Sequence, residues 1–90
     1  MGPVAERMRR TLAERFSPER LEIVDDSARH AGHAGGRPSG ESHFSVTIVS
    51  GAFAGLTRLE RQRRVNAVLA QELAGPVHAL QVRALAPGEG

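Results

Sequence analysis

The sequence predicts an α+β fold, in which helices pack on one face of a three-stranded mixed sheet in the order α-β-β-α-α-β. Three observations lead to this class. The N-terminal segment repeats apolar residues as an amphipathic helix does, two short apolar segments flank a stretch rich in Gly and Ser, and a long helical segment ends at a Gly-Pro pair just before a last strand. With 90 residues, the chain is predicted to form a single domain, residues 1–90.

The first helix is predicted over residues 3–15. Val4, Met8 and Leu12 recur at spacings of four, which places them on one helical face. Pro3 suits the first turn of a helix, where its missing N–H costs no hydrogen bond. The arginines of this segment lie mostly off the apolar stripe and are expected to face solvent.

Two strands are predicted on either side of a long loop. The first is LEIVDD, residues 21–26, and in the second Phe44, Val46 and Ile48 alternate with polar residues, which is typical of a half-buried strand. Residues 27–42 between them are rich in Gly, Ser and Pro and have little apolar content. Long loops of this kind are usually functional or disordered, so we expect this variable loop to be mobile in the free protein.

The second helical region is predicted to be broken near Arg61. Extending one helix through it would put Arg61 on the apolar face and point Leu56 the other way. We therefore expect a short helical turn beginning at Thr57 and then a main helix, which ends at Gly75-Pro76. The apolar face of that main helix consists of Val65, Val68, Leu69 and Leu73.

The order of elements limits the topology. The first two strands can be antiparallel neighbours, and the helical crossover from the second to the third suits a parallel, right-handed connection. In the third strand, Leu80 and Val82 are expected to share a face with His78. Residues 85–90 are expected to form a frayed tail.

Composition narrows the possible functions. The chain has no cysteine, which excludes disulfides, thiol nucleophiles and clusters held by its own thiolates. All 12 basic residues are arginine, so the pI of about 11.0 at a net charge of only +2 is weak support for nucleic-acid binding. No apolar run approaches the roughly 18 residues of a membrane span. We expect a soluble, cytoplasmic protein without a membrane partner.

The histidines carry most of the chemical information, because imidazole is a good ligand for zinc, iron and copper. His30 and His33 have ligand-like spacing in the loop, although HxxH in a Gly-rich segment is also typical of exposed polar residues. His78 stands at the head of the last strand and could equally be a hydrogen-bonded histidine at a sheet edge. His43 is expected to be a solvent-side residue at the start of the second strand.

The chain shows no motif for catalysis. It lacks a GxSxG nucleophile, a GxGxxG fingerprint and a P-loop, and adjacent Asp25 and Asp26 would point to opposite faces of a strand. Enzyme activity is therefore not expected. Phosphate contacts are plausible at one basic patch, but no aromatic residues interleave with it, and it could equally be a solvated face. The patch comprises Arg58, Arg61, Arg63 and Arg64.

Four segments together resemble the BolA family. They are DDSARHAGHAG, ESHFSVTIVS, FAGLTRLERQRRVNAVLAQEL and GPVHALQVRA, and they match in order and spacing from about Glu19 to Ala84. The resemblance implies a fold similar to the class II K-homology domain, with a short additional helix at the end. Only ALAPGEG follows Arg83, so that last helix is expected to be missing or reduced to a turn. The GXXG loop of RNA-binding K-homology domains is not evident.

The resemblance also implies a metal site. In this family the histidine of VHAL, here His78, is a ligand to a [2Fe-2S] cluster shared with a monothiol glutaredoxin and a bound glutathione. A second ligand comes from the variable loop, where His33 of GHAG matches best and His30 is a reserve. No cofactor is expected in the isolated chain, which is predicted to be a monomer or a weak homodimer.

Two functions follow as hypotheses. The first is an adaptor in iron–sulfur trafficking or iron sensing that works as a heterodimer with a monothiol glutaredoxin. The second is a DNA-binding transcriptional regulator, a role that bacterial members are often given, in which the segment from Arg58 to Arg64 would contact the duplex.

Overall fold

The fold is taken from a computed structural model, which describes residues 2–26 and 42–89. Residues 27–41 of the variable loop, including His30 and His33, lie outside the described residues. The elements run in the order α-β-β-α-α-β, with a 3₁₀ turn at Gly51–Phe53 before the second helix. Their bounds are α1 Pro3–Phe16, β1 Arg20–Asp25, β2 His43–Val49, α2 Arg58–Val68, α3 Ala70–Ala74 and β3 Ala79–Leu85.

Helix α1 confirms the predicted amphipathic pattern. Pro3 occupies its first turn, and Ser17 ends it in a left-handed conformation, with φ 43° and its N–H donated to the carbonyl of Ala13. Val4, Met8, Leu12 and Phe16 are all buried on one side. They belong to the same core as the inward-facing residues of the sheet.

The sheet has the predicted mixed topology. Strand β2 lies in the centre, antiparallel to β1 and parallel to β3. Phe44, Val46 and Ile48 face the helices and are buried, whereas the alternate residues of β2 are half-buried. The three strands therefore have one covered face, on which the helices pack around a mostly aliphatic core.

The predicted break near Arg61 is wrong. Helix α2 runs unbroken from Arg58 to Val68, and the interruption falls at Leu69, which separates it from the short helix α3. The start at Thr57 is confirmed, because Thr57 and Glu60 form a capping box with N···O distances of 3.0 and 3.1 Å. Leu56 precedes the helix, so the conflict between its direction and that of Arg61 does not arise.

Residues 85–89 continue the fold, where the sequence predicts a frayed tail over residues 85–90. Leu85 is the last residue of β3, and Ala86 is buried. Residues 86–89 form a turn closed by a 3.1 Å hydrogen bond from the Glu89 N–H to the Ala86 carbonyl. Pro87 followed by Gly88, with φ 87°, fits a type II turn, in which the third residue requires positive φ. In the described chain no helix follows β3, as the sequence predicts.

Candidate metal-binding edge and cationic helix

His78 lies at the edge of the sheet where β3 begins. Val77, immediately before it, is buried and donates its N–H to the Glu72 carbonyl at 2.9 Å, which fixes the exit from α3. The N–H groups of His78 and Ala79 both donate to the Ser42 carbonyl, at 2.7 and 3.2 Å. The imidazole itself is exposed. The backbone of His78 is therefore held firmly while its ring faces solvent.

His43 stands beside it as the first residue of β2. Its carbonyl accepts the Asp26 N–H at 2.7 Å, and its Nδ1 lies 2.9 Å from the hydroxyl oxygen of Ser42, a fully buried residue. The register pairs His43 with Ala79 of β3. Backbone and ring are thus both oriented by neighbouring groups.

The two imidazole rings face each other. Their centroids are 6.2 Å apart and their planes differ by only 19°. An imidazole at the start of β2 and one just before β3 thus share one small surface, where both could act on the same ligand. No third His, Asp or Glu joins them into a metal-binding group within the residues that the structure describes.

Sequence reasoning missed this juxtaposition. It expected His43 to be an ordinary solvent-side residue and placed His78 in the strand, on the face of Leu80, whereas His78 precedes the strand and contacts His43. The feature that could have revealed it is the register between β2 and β3. Aligning the inward-facing Phe44 with Leu80, as the parallel pairing does, brings the starts of both segments together.

The loop histidines are connected to this edge by the chain. The last described residue before the loop is Asp26 and the first after it is Ser42, and both contact His43 or the residues next to it. The segment that carries His30 and His33 therefore begins and ends at the edge where His78 lies. Its own structure is outside the described residues.

The predicted basic patch separates into two kinds of arginine. Arg58, Arg63 and Arg64 are exposed on α2. Arg61 points inward, and its side chain is only 12% exposed. It donates to the carbonyls of Leu56 and Ala84 at 3.0 and 3.1 Å. These contacts explain how an arginine is accommodated on the inner side of an unbroken helix.

Glu89 completes the coordination of Arg61. The two side chains form a bidentate ion pair with N···O distances of 2.5 and 2.9 Å. The hydrogen bond from Arg61, with a second one from the Ala86 N–H, lowers the pKa of Glu89 to about 2, and the same pair raises the pKa of Arg61. Arg61 is therefore a structural residue that ties α2 to the turn after β3.

A polar cleft of about 810 Å³ lies between α2 and the end of β3. Arg58 and Arg83 line it together with the Arg61–Glu89 pair. It is at the opposite end of β3 from the histidines, so the two candidate sites are separate surfaces.

The element order and mixed sheet define an α+β domain, with imidazoles at one end of the last strand and guanidinium groups at the other. The chain belongs to the BolA family, since the family described as BolA, BolA-like protein, matches residues 12–89.

Known proteins agree with this assignment. Human BolA-like protein 1 is 46% identical over 89 residues, which are 99% of this chain and 62% of the human protein. The DNA-binding transcriptional regulator BolA of Vibrio cholerae is 45% identical over 71 residues, 79% of this chain and 63% of that protein. The solved BolA domain of SufE1 from Arabidopsis thaliana superposes with a TM-score of 0.90 at 38% identity, covering 100% of this chain and 99% of that one. The chain thus spans less than two thirds of the length of the human and Vibrio proteins.

The location of the protein stays a prediction. Among the residues that the structure describes, no helix combines the length and apolar character that crossing a membrane requires. One relative, 44% identical over 87 residues, carries the name Protein BOLA1, chloroplastic, in Arabidopsis thaliana. Family membership therefore does not decide between the cytoplasm and an organelle.

Proposed function

We propose that this chain is an adaptor that binds a monothiol glutaredoxin and co-ligates a bridging [2Fe-2S] cluster, for iron–sulfur trafficking or iron sensing. The observation that carries the proposal is the exposed imidazole of His78 on a firmly held backbone at the edge of the sheet. Its ring faces that of His43, with the two centroids 6.2 Å apart. A ligand so placed can meet a cluster that a second protein presents.

The donor set of the chain fits a shared cluster. Without cysteine, this chain can offer only imidazole and carboxylate, so the thiolates would come from the glutaredoxin and its bound glutathione. Imidazole ligands suit an iron–sulfur cluster otherwise held by thiolates, as in Rieske centres. We assign His78 as the fixed ligand and His33 as the ligand from the loop, with His30 in reserve. The role is one of binding and hand-over and requires no nucleophile or general base.

The test is anaerobic reconstitution with a monothiol glutaredoxin, glutathione, iron and sulfide, followed by absorption and circular dichroism spectroscopy. His78→Ala is expected to abolish the mixed thiolate–imidazole spectrum while apo-complex formation persists. His33→Ala should leave a labile or altered cluster, because His30 can partly substitute. His43→Ala serves as the matched control and should shift the spectrum without abolishing it. An unchanged spectrum for the His78→Ala heterodimer contradicts the assignment.

A second candidate function is DNA binding by a transcriptional regulator, the role named for the relative from Vibrio cholerae. Arg58, Arg63 and Arg64 are exposed on α2 and could contact phosphates. Arg61 is left out of this set, because its guanidinium is already bound to two carbonyls and to Glu89.

A double variant tests this function. If Arg63 and Arg64 each neutralise one phosphate, changing both to Ala should make the plot of the logarithm of the DNA-binding constant against the logarithm of salt concentration less steep by about 1.8. The double variant should also bind all DNA sequences more weakly by the same factor. Arg7→Ala with Arg10→Ala, two exposed arginines on α1, is the matched control. Equal slopes for the two double variants would exclude α2 as the DNA contact. Whether the chain retains DNA at about 0.15 M salt, or instead captures a glutaredoxin, separates the two functions.

A further inference from the structure

The last strand of the sheet has a free edge. Strand β3 stands at the end of the order β1-β2-β3, so only one of its sides is paired. On the side of β2, the Leu85 carbonyl accepts the Ser50 N–H at 2.9 Å. The backbone groups of successive residues in a strand point to opposite sides. Those of Val82 and Ala84 therefore point away from β2, at the free edge.

An arginine from helix α2 closes one end of this edge. Arg61 donates to the Ala84 carbonyl at 3.1 Å, which agrees with the outward direction of that carbonyl. In the turn that follows, the Ala86 N–H donates to the Glu89 carboxylate at 2.9 Å. Within the part of the chain that the structure describes, no hydrogen bond satisfies the outward N–H and carbonyl of Val82. The edge is thus closed after Ala84 and open before it.

The open part of the edge lies along a cleft with excess positive charge. This is the polar cleft of about 810 Å³ between α2 and β3, and Val82, Arg58 and Arg83 all line it. Glu89 neutralises Arg61. Arg58 and Arg83 are exposed and form no ion pair with any described residue. A segment that enters the cleft therefore meets two unpaired guanidinium groups, which favour acidic side chains.

We propose that this edge is a docking site for an extended, acidic segment of a partner protein, which would pair with β3 as a fourth strand. Main-chain hydrogen bonds to Val82 and the N–H of Ala84 would supply affinity, and carboxylates beside Arg58 and Arg83 would supply selectivity. The proposal does not rest on the cluster, because this cleft and His78 lie at opposite ends of β3.

The positions of the two arginines specify the acidic segment further. Arg58 belongs to the helical layer, whereas Arg83 is on the uncovered face of the sheet, opposite the face on which Val82 packs against the core. Successive side chains of a strand point to opposite faces. Two adjacent acidic residues in the incoming strand would therefore serve both arginines.

Two other occupants are less well matched to the edge. A second copy of the chain would bring two cationic clefts together, which like charges oppose. A nucleic acid could neutralise Arg58 and Arg83, but it has no row of amide N–H and carbonyl groups to pair with Val82. Strand pairing at this edge is accordingly the property that the experiment measures.

The test adds a short blocked peptide to the full chain and follows amide exchange by nuclear magnetic resonance. Two adjacent glutamates stand at the centre of the peptide, between valine and threonine residues. In the free chain, the N–H groups of Val82 and Ala84 should exchange faster than those of Gln81 and Arg83, which face β2. With free peptide at about ten times its dissociation constant, exchange at Val82 and Ala84 should slow about tenfold, because these groups exchange only while the peptide is absent.

N-methylated peptides separate strand pairing from charge. Methyl groups on alternate amides remove the donors of one edge of the peptide and leave those of the other edge intact. Of the two alternating patterns, one should abolish binding and the other should preserve it. A peptide with two arginines in place of the glutamates should not bind. Equal affinities for the two methylated peptides, or unchanged exchange at Val82 and Ala84, would overturn the proposal.

A double variant tests the two arginines. Arg58→Ala with Arg83→Ala should weaken binding of the acidic peptide by about 2–30-fold, the range expected for the loss of two exposed ion pairs. Arg7→Ala with Arg10→Ala removes the same charge from α1 and should leave the affinity unchanged. Circular dichroism verifies that both are folded, and the methylated peptides test the wild-type chain in any case. If a short oligothymidylate binds the cleft and the peptide does not, the occupant is a nucleic acid and the proposal is wrong.

Discussion

Side chains that commonly bind ligands lie near both ends of β3, and the fold uses them in opposite ways. At the start, the exposed ring of His78 faces that of His43. At the end, the guanidinium of Arg61 donates to two carbonyls and to Glu89. A strand of seven residues, at about 3.3 Å per residue, separates these ends by roughly 20 Å.

The difference shows that residue type alone does not identify a binding group. Arg61 sits in the most basic segment of the sequence, yet its hydrogen-bonding capacity is directed into the protein, where it connects α2 with the turn after β3. His78 sits in an apolar segment, yet its ring is directed outward. A polar side chain can bind a ligand only where the fold has not already satisfied it.

The largest effect on stability is expected from Arg61→Ala. The change removes the partner of the Leu56 and Ala84 carbonyls and of Glu89, and it detaches the turn after β3 from α2. Thermal unfolding should show a lower melting temperature than any other variant proposed for this end of the molecule. Arg63→Ala, an exposed neighbour on the same helix, should stay within about 0.5 kcal/mol of the wild type. Equal melting temperatures for the two variants would mean that the hydrogen bonds of Arg61 do not contribute to stability.

The next largest effect is expected from Thr57→Ala. The Thr57 hydroxyl group accepts the Glu60 N–H at 3.1 Å, and the Thr57 N–H donates to the Glu60 carboxylate at 3.0 Å. Together these two hydrogen bonds start the helix that holds Arg61 in place. Loss of an N-cap costs about 1 kcal/mol, which lowers the melting temperature of so small a domain by about 4–8 °C. Thr57→Ser retains the hydroxyl group and is the control. Identical melting curves for the two variants would mean that the capping box does not contribute to stability.

A smaller, pH-dependent effect is expected at the same end. Pairing with Arg61 lowers the pKa of Glu89 from its ordinary value of 4.5 to about 2, so the carboxylate stabilises the fold above pH 4.5. This contribution is lost as the pH falls from about 4.5 to about 2, where the folded state must take up the proton. The melting temperature of the wild type should therefore exceed that of Glu89→Gln at neutral pH and approach it near pH 2. If the melting temperatures of the two proteins instead differ by the same amount at every pH in this range, the ion pair is screened by solvent. Solvent reaches 40% of the Glu89 side chain.

The smallest effect on stability is expected at the histidine end. His78→Ala removes an exposed ring and leaves the backbone hydrogen bonds to Ser42 intact, so unfolding of the apo chain should change by no more than about 0.5 kcal/mol. Chemical denaturation measures this difference. A large destabilisation would make His78 structural and would remove the contrast between the two ends of β3.

Local patterns predicted the elements of this fold better than their connections. The apolar spacing in α1 and the alternation in β2 follow from the periods of helix and strand, and both are confirmed. The break assigned near Arg61 is wrong because the groups that accommodate this arginine, the Ala84 carbonyl and Glu89, are distant in sequence. The turn at residues 86–89 could have been predicted from Pro87-Gly88, because this dipeptide is a local turn signal.

The candidate site could be predicted only in part. His78 was identified as a metal ligand through the family resemblance, and this role stays a prediction. The importance of His43 depends on the parallel register between β2 and β3, which no short motif encodes. Which loop histidine acts as a ligand stays a prediction, since His30 and His33 lie outside the described residues.

The parallel pairing of β2 with β3 also determines at which stage of folding His43 and His78 come together at the sheet edge. These strands are joined through the whole helical region, and closing so long a connection is an intrinsically slow step in folding. His43 precedes this connection and His78 follows it. A nascent or partly folded chain therefore holds two separate imidazoles, each of low affinity for a metal. The metal ligation that we propose for this edge would therefore be complete only in molecules that have finished folding, and unfinished copies would not compete for a scarce metal.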